Sequence, residues 1–287
     1  MKIHSLNCAT LCPPCRQAVN GHGSYWERGH LICHCLLVET ERDGLILIDT
    51  GLGTADCESP QERLGKTFLS SSKPFLRREE TALHQVEALG FRSSDVRHIL
   101  LTHLDLDHAG GLSDFPEARV HLLADEKKAA EERKALAERT RYRPLQWSSV
   151  TQWELYPAST GERWRNLENV QSIRGIREEL LLVPLQGHTR GHAGFALPRM
   201  GKKQRDLLHC GDAYFHSATI KGRRSGRQTP WGLAAFQAVV AVEKERMFDT
   251  QNRLQKLYET SITAGENLEI FCAHDPEERT ALLDQLN

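Results

Sequence analysis

The segment His103-Leu104-Asp105-Leu106-Asp107-His108 places four potential metal ligands within six positions. It directly follows the apolar run 96–102, which predicts a short buried strand. The glycines of Ala109-Gly110-Gly111 then let the backbone pass close to whatever those side chains hold. A polar loop rich in histidine and aspartate by chance is the alternative. Four such groups crowded together without a cation would suffer desolvation and like-charge repulsion, so the stretch favours a metal site.

Three later segments carry further candidate ligands. Each candidate comes close behind a short apolar run, predicted as a strand over 179–184, 206–210 and 268–272. Alone, each would more often be an ordinary surface or core residue. Together they place His/Asp residues at several strand ends, which predicts convergence on one site. The candidates are His188, Asp212 and His274.

Composition indicates a soluble globular protein. The chain has 287 residues, with 37 basic and 38 acidic side chains and a formal net charge of -1. A balanced charge argues against a nucleic-acid partner bound through a broad basic surface. No apolar run approaches the ~20 residues that span a bilayer, and the first residues lack an apolar core of signal-peptide length. We therefore expect a cytoplasmic protein with no membrane partner, acting on a small molecule.

Five cysteines crowd into the first 35 residues. Disulfides are not expected in a protein without an export signal, which leaves a structural metal cluster or ordinary packing. Cys33 and Cys35 alternate with His34 in an apolar run, so both thiols are expected on one face of a strand as small core residues. Packing is the favoured interpretation.

The pattern of elements predicts a single α/β (α+β) domain over residues 1–287. Strands are expected at 31–40 and 45–49, joined by an Asp43-Gly44 hairpin turn, and at 119–123. Residues 54–78 are expected to form a surface excursion, and an aromatic-rich insertion is expected around 140–178. Helices are expected over the ranges 79–89, 124–139 and most of 231–263.

The order of these motifs resembles that of the metallo-β-lactamase superfamily over nearly the whole chain. The markers are Leu47-Ile48-Asp49-Thr50-Gly51, the central segment 102–111 and the later candidates. The resemblance implies an αββα sandwich with two divalent metal ions, zinc being expected. By the same resemblance one ion is held by His103, Asp105 and His188, the second by Asp107, His108 and His274, and Asp212 bridges the two.

One position departs from the family pattern. The usual central motif is H-x-H-x-D-H, and Asp105 stands where the second histidine belongs. A carboxylate oxygen is a harder donor than an imidazole, so it shifts the preference towards iron or manganese. Members with a carboxylate here include di-iron proteins that handle oxygen or electrons. A di-iron redox protein is therefore an alternative to a hydrolase.

The leading hypothesis is hydrolysis of an ester-like bond. Two ions about 3.5–4 Å apart lower the pKa of a water and polarise a carbonyl, and Asp107 would orient that water and carry its proton to the leaving group. Segments 187–192 and 210–214 resemble the branch containing N-acyl homoserine lactonases, which makes a lactone the favoured substrate. A thioester or a phosphodiester is an alternative, and a non-catalytic binding protein is a third possibility.

A tyrosine three residues after the bridging aspartate faces the lactone carbonyl in that branch. Tyr214 lies only two residues after Asp212. A shift of one residue reverses the face of an extended segment. A catalytic role for Tyr214 and a role as a packed aromatic with a satisfied hydroxyl are thus both open.

Two other segments are candidate substrate contacts. The aromatics of 140–165 are expected to form a lid or acyl-chain pocket, or else a homodimer contact. The basic loop 221–227 is either a solvated surface or a contact for a substrate carboxylate or phosphate.

Overall fold

The computed structural model describes residues 1–134, 136–200 and 204–286. Among these residues, no helix combines the length and the apolarity needed to cross a membrane. The strands are β1 (Lys2–Leu11), β2 (Leu31–Glu39), β3 (Leu45–Ile48), β4 (Pro74–Phe75), β5 (Val96–Leu100), β6 (Arg119–Leu123), β7 (Trp153–Tyr156), β8 (Glu162–Trp164), β9 (Leu167–Ser172), β10 (Leu181–Pro184), β11 (Ala193–Met200), β12 (Arg205–His209) and β13 (Leu268–Phe271). The helices are α1 (Arg16–Asn20), α2 (Thr54–Glu58), α3 (Pro60–Arg63), α4 (Gly65–Ser72), α5 (Ala82–Ala88), α6 (Leu106–Ala109), α7 (Ala124–Glu132), α8 (Leu136–Arg141), α9 (Ala218–Lys221), α10 (Trp231–Val240), α11 (Lys244–Thr263) and α12 (Pro276–Leu286).

The strands form two mixed sheets that pack face to face. One sheet has the order β4-β1-β2-β3-β5-β6-β7, and the other β13-β12-β11-β10-β9-β8. Strand β2 shows why the layers stack, because its apolar residues are buried on both faces. Leu36 and Val38 pack with Phe195 of the second sheet, whereas Leu37 packs with Val86 of α5 on the outer side. Helix α11 covers the second sheet in the same way. This architecture confirms the predicted αββα sandwich.

The polar segment 54–78 was expected to be a surface excursion, and most of its residues do lie at the surface, but the segment is helical. It contains the short helices α2, α3 and α4. The buried pair of Asp56 and Arg63 holds the first two of these helices together, with Arg63 Nε donating to Asp56 Oδ1 at 2.7 Å. Arg63 also donates to the Gly110 carbonyl at 3.1 Å, next to the central motif. Buried charged pairs of this kind are not visible in a hydrophobic pattern.

The aromatic-rich segment does not form a lid over the candidate site. Strand β7 extends the first sheet and strands β8 and β9 extend the second, so the segment belongs to the sandwich. Tyr142 and Tyr156 are fully buried in two different cores. Trp147 and Trp153 pack against the first of these cores. The structure thus corrects the expectation of an acyl-chain pocket built from these side chains.

A buried row of polar rings crosses β5, β6 and β7. His98 Nδ1 lies 2.9 Å from His121 Nε2, and His121 Nδ1 lies 2.9 Å from the Tyr156 hydroxyl. The Arg174 amide donates to that hydroxyl at 2.9 Å. Burial, together with the nearby His98 and Arg119, lowers the pKa of His121 to about 3. The fold therefore holds His121 in its neutral form.

This row predicts a loss of stability in acid. The unfolded chain protonates His121 near pH 6.5, whereas the folded chain resists protonation until about pH 3, so stability present above pH 6.5 is lost as pH falls. The contribution lost between pH 7 and pH 5 is about 2 kcal/mol. Urea unfolding of the wild type and of His121→Gln at both pH values measures it. The variant should lose less stability in acid than the wild type, and an equal loss would contradict the assignment.

Candidate metal centre

Asp49 organises the loop that carries the central motif. It follows β3 in the positive-φ region (φ 56°), and it accepts from both the amide and the hydroxyl of Thr102 at 2.8 Å. Its Oδ2 atom also lies 2.8 Å from His108 Nδ1. Burial opposes ionisation of Asp49, but the adjacent His108 outweighs it and keeps the pKa of Asp49 below its ordinary value. The carboxylate therefore leaves Nε2 of His108 free to bind a metal.

Four side chains form the first ligand group, and their ligand atoms all lie within 4.8 Å of one another. His188 Nε2 is 3.0 Å from Asp105 Oδ2, and His103 Nε2 is 3.4 Å from the same oxygen. Asp212 Oδ2 closes the group at 3.4 Å from His188. Ligand atoms at the corners of a tetrahedron with bonds of about 2.1 Å are about 3.4 Å apart, so the spacing suits one ion.

A second group adjoins the first through Asp212. Asp212 Oδ1 lies 3.2 Å from His108 Nε2 and 3.1 Å from His274 Nε2. Asp107 Oδ2 lies 3.8 Å from His274 Nε2 and completes the set that the resemblance implied. Asp212 Oδ2, which lies 3.4 Å from His188 Nε2, is also 3.2 Å from His274 Nε2, so the Asp212 carboxylate contacts ligands of both groups, as a bridging carboxylate would.

Several ligand atoms lack any other partner. His103 Nε2, His108 Nε2 and Asp212 Oδ1 are buried, and within the described residues they make no hydrogen bond. Buried polar atoms in folded proteins nearly always have a partner, because a group left unpaired is destabilising. Two divalent cations would satisfy all three atoms, so the residues present fit the metal pair.

A positively charged side chain that the sequence did not indicate lies beside the first ligand group. Arg141, at the end of α8, has Nε 3.3 Å from Asp105 Oδ1 and donates to the His188 carbonyl at 3.0 Å. Burial raises the pKa of Asp105, but Arg141 and His103 outweigh burial and hold that pKa well below its usual range. Burial and Arg141 together lower the pKa of His188 to about 4. Both side chains are therefore in their ligating forms at neutral pH.

His192, the second histidine of segment 187–192, supports the site through backbone hydrogen bonds. His192 Nε2 accepts from the Asp212 amide at 2.9 Å, and Nδ1 donates to the Leu185 carbonyl at 2.8 Å. Its ring nitrogens are both occupied, so His192 fixes the backbone of the bridging residue instead of binding metal.

The structure brings the seven predicted ligands together but leaves Tyr214 apart from them. The Tyr214 side chain is fully buried among apolar residues, and its hydroxyl donates to Glu278 at 3.1 Å. The catalytic role proposed for Tyr214 thus has no support from its position. Phe215 takes that place instead, with its ring centroid 5.7 Å from His188 and 5.1 Å from His274.

The basic loop is partly committed to internal pairs. Lys221 lies 2.9 Å from both Glu269 and Glu278. Arg227 donates to Asp275, next to the ligand His274, at 2.7 Å. These two cations are therefore structural, which argues against a substrate-binding role for them.

The four-layer sandwich with two adjoining ligand groups at one edge defines a two-metal centre. A family model described as the metallo-beta-lactamase superfamily matches residues 28–238. A probable metallo-hydrolase of Mycobacterium tuberculosis is 40% identical over 277 residues, which cover 96% of this chain and 81% of that relative. The chain therefore belongs to the metallo-β-lactamase superfamily, and it is a metallo-hydrolase of that fold.

Lactonases are among the more distant relatives. The N-acyl homoserine lactonase AttM of Rhizobium johnstonii is 34% identical over 79 residues, which cover 28% of this chain and 30% of that protein. The crystal structure of a Bacillus thuringiensis AiiA mutant with N-decanoyl-L-homoserine bound has a TM-score of 0.69 at 19% identity, covering 98% of this chain and 95% of that one. This structural likeness shows a shared fold.

Proposed function

We propose that the protein hydrolyses an ester-like bond, with a lactone as the leading substrate class. The observation that carries the proposal is the pair of ligand groups joined by Asp212. Two bound divalent ions would supply an activated water near neutral pH and polarise the substrate carbonyl. The partial match to lactonases supports the lactone as substrate.

The protein's own residues would orient the reactants. Asp107 lies on the second group with its side chain 12% exposed, so its carboxylate can reach both a water and the substrate. It would accept the proton of the attacking water and deliver it to the leaving oxygen. Phe215 and Phe236, whose ring centroids are 6.1 Å apart, would form an apolar wall for the substrate beside His188 and His274.

The test is a substrate panel on protein loaded separately with zinc, manganese, cobalt or iron. Short- and long-chain N-acyl homoserine lactones, simple lactones, linear esters, thioesters and a phosphodiester would be compared. We expect lactone ring opening that a chelator removes and added metal restores. Turnover restricted to thioesters or phosphodiesters would reject the lactone while keeping the hydrolase.

A second candidate function is oxygen or electron chemistry at a di-iron centre. Asp105 favours it, since this carboxylate makes the first group two histidines and two aspartates. Two equivalents of iron in protein purified without added metal, with oxygen consumption in the presence of a reductant and no hydrolysis, would favour this function over the first.

Substitution of Phe215 by tyrosine tests the lactone hypothesis. Its ring carries no hydroxyl to donate to a carbonyl, and Phe215→Tyr would place one beside the two histidine ligands. We expect kcat on lactones to rise by up to about tenfold, because a donor aimed at developing negative charge stabilises the transition state. Phe248→Tyr, at an exposed position on α11, is the matched control. An unchanged or lower kcat for Phe215→Tyr would show that the carbonyl does not lie at this position.

A further inference from the structure

Cys33 lies at the second ligand group although the family pattern gives it no role there. Its Sγ atom is 3.9 Å from Asp107 Oδ2. The ligand atoms of Cys33, Asp107 and His274 all lie within 4.8 Å of one another, which is the same spacing as in the other two sets of ligands. The Cys33 residue is 1% exposed, so the thiol is withdrawn from solvent and directed at the centre.

The strand itself holds the thiol in this place. His274 Nδ1 donates to the carbonyl of Ile32 at 2.7 Å, and the amide of His34 donates to the carbonyl of Ala273 at 2.8 Å. Cys33 thus stands between two residues of β2 that are both hydrogen-bonded to the turn carrying a metal ligand. Its distance from His274 is therefore set by backbone contacts and not by a flexible side chain.

The second group has unsatisfied ligand atoms of its own, and it shares His274 with the set that contains Cys33. His108 Nε2 and Asp212 Oδ1 are buried, lack hydrogen-bond partners in the described structure, and lie 3.2 Å from each other. His274 Nε2 is 3.1 Å from that Asp212 oxygen and also belongs to the set containing Cys33. His274 is thus common to both sets, and an ion bound by its Nε2 atom would lie within reach of the Cys33 sulfur.

We propose that the Cys33 thiolate is a ligand of the second metal ion. The S–H bond breaks as the sulfur–metal bond forms, and the proton is released to solvent. Sulfur is a soft donor, whereas Asp105 makes the first group harder, so the two positions differ in the metals they prefer. The proposal rests on the two-metal centre of the proposed function, but it does not depend on a lactone substrate.

Cobalt(II) substitution tests the proposal through absorption, independently of activity. The wild type loaded with two equivalents of cobalt should show a near-ultraviolet sulfur-to-cobalt charge-transfer band, and Cys33→Ser should lack it. Cys35→Ser, two residues along the same strand, is the matched control and should keep the band. The Cys33→Ser variant should also bind its second equivalent about tenfold or more weakly.

The outcomes separate this proposal from the proposed function. Two bound equivalents without the band in the wild type, or a band that persists in Cys33→Ser, would overturn the role of Cys33 and leave the hydrolase standing. The band without lactone turnover would support the thiolate ligand and reject the substrate. Failure of the wild type to bind cobalt would overturn both. Even where a variant folds poorly, a wild-type protein that binds two equivalents without the band overturns the role of Cys33.

Discussion

Asp212→Ala is expected to lower kcat by about a thousandfold or more and to reduce the bound metal below two equivalents. The reason is that the Asp212 carboxylate contacts ligands of both groups, at 3.1 Å from His274 and 3.4 Å from His188. Removing it therefore weakens both metal positions at once. Metal analysis of the purified variant, together with hydrolysis rates on the best substrate, measures the two effects.

Asp212→Asn and a surface variant separate charge from structure. The asparagine keeps the shape of the side chain but not its charge, so it should lose most of the metal and activity as well. Asp249→Ala, on the exposed face of α11, should behave like the wild type. Full activity with two equivalents of metal in Asp212→Ala would show that Asp212 does not bridge the ions.

Sequence patterns reveal well where the ligand segments lie in the fold. Each ligand segment begins where a short apolar run ends, and strand ends at one edge of a sandwich bring their following residues together. For this reason His188, Asp212 and His274 could be grouped although they are far apart in the chain. The structure places them with the central motif, in two groups whose ligand atoms are within 4.8 Å of one another.

Side chains that reach the site from other directions could not be found in this way. Cys33 is an apolar-strand residue by pattern, and only the packing of β2 against the turn at His274 places its sulfur beside Asp107. Phe215 could have been found by counting three residues from Asp212, a signal that the nearby Tyr214 obscured. Arg141 sits in a charged helix with no local sign that its guanidinium is withdrawn from solvent.

Arg141→Met is expected to lower the free energy of unfolding of the metal-free protein by about 3 kcal/mol. The guanidinium contacts one oxygen of the buried Asp105, with Nε 3.3 Å from Oδ1, and donates to the carbonyls of His188 and Val240 at 3.0 Å and 2.6 Å. Its removal leaves a buried carboxylate and two carbonyls without these donors. Urea unfolding after exhaustive chelation measures the loss. Arg139→Met, an exposed position on the same helix, should change stability by less than about 0.5 kcal/mol.

The same variant in the metal-loaded state shows what the guanidinium does for the centre. A bound ion compensates the charge of Asp105, so the loss should be smaller than in the metal-free protein. By the thermodynamic cycle, the difference between the two losses equals the change in metal-binding free energy. A smaller loss therefore means that Arg141→Met binds metal more tightly, because Arg141 competes with the ion for Asp105. A larger loss in the loaded state would instead show that Arg141 chiefly positions Asp105 and His188 as ligands, and would contradict the competition.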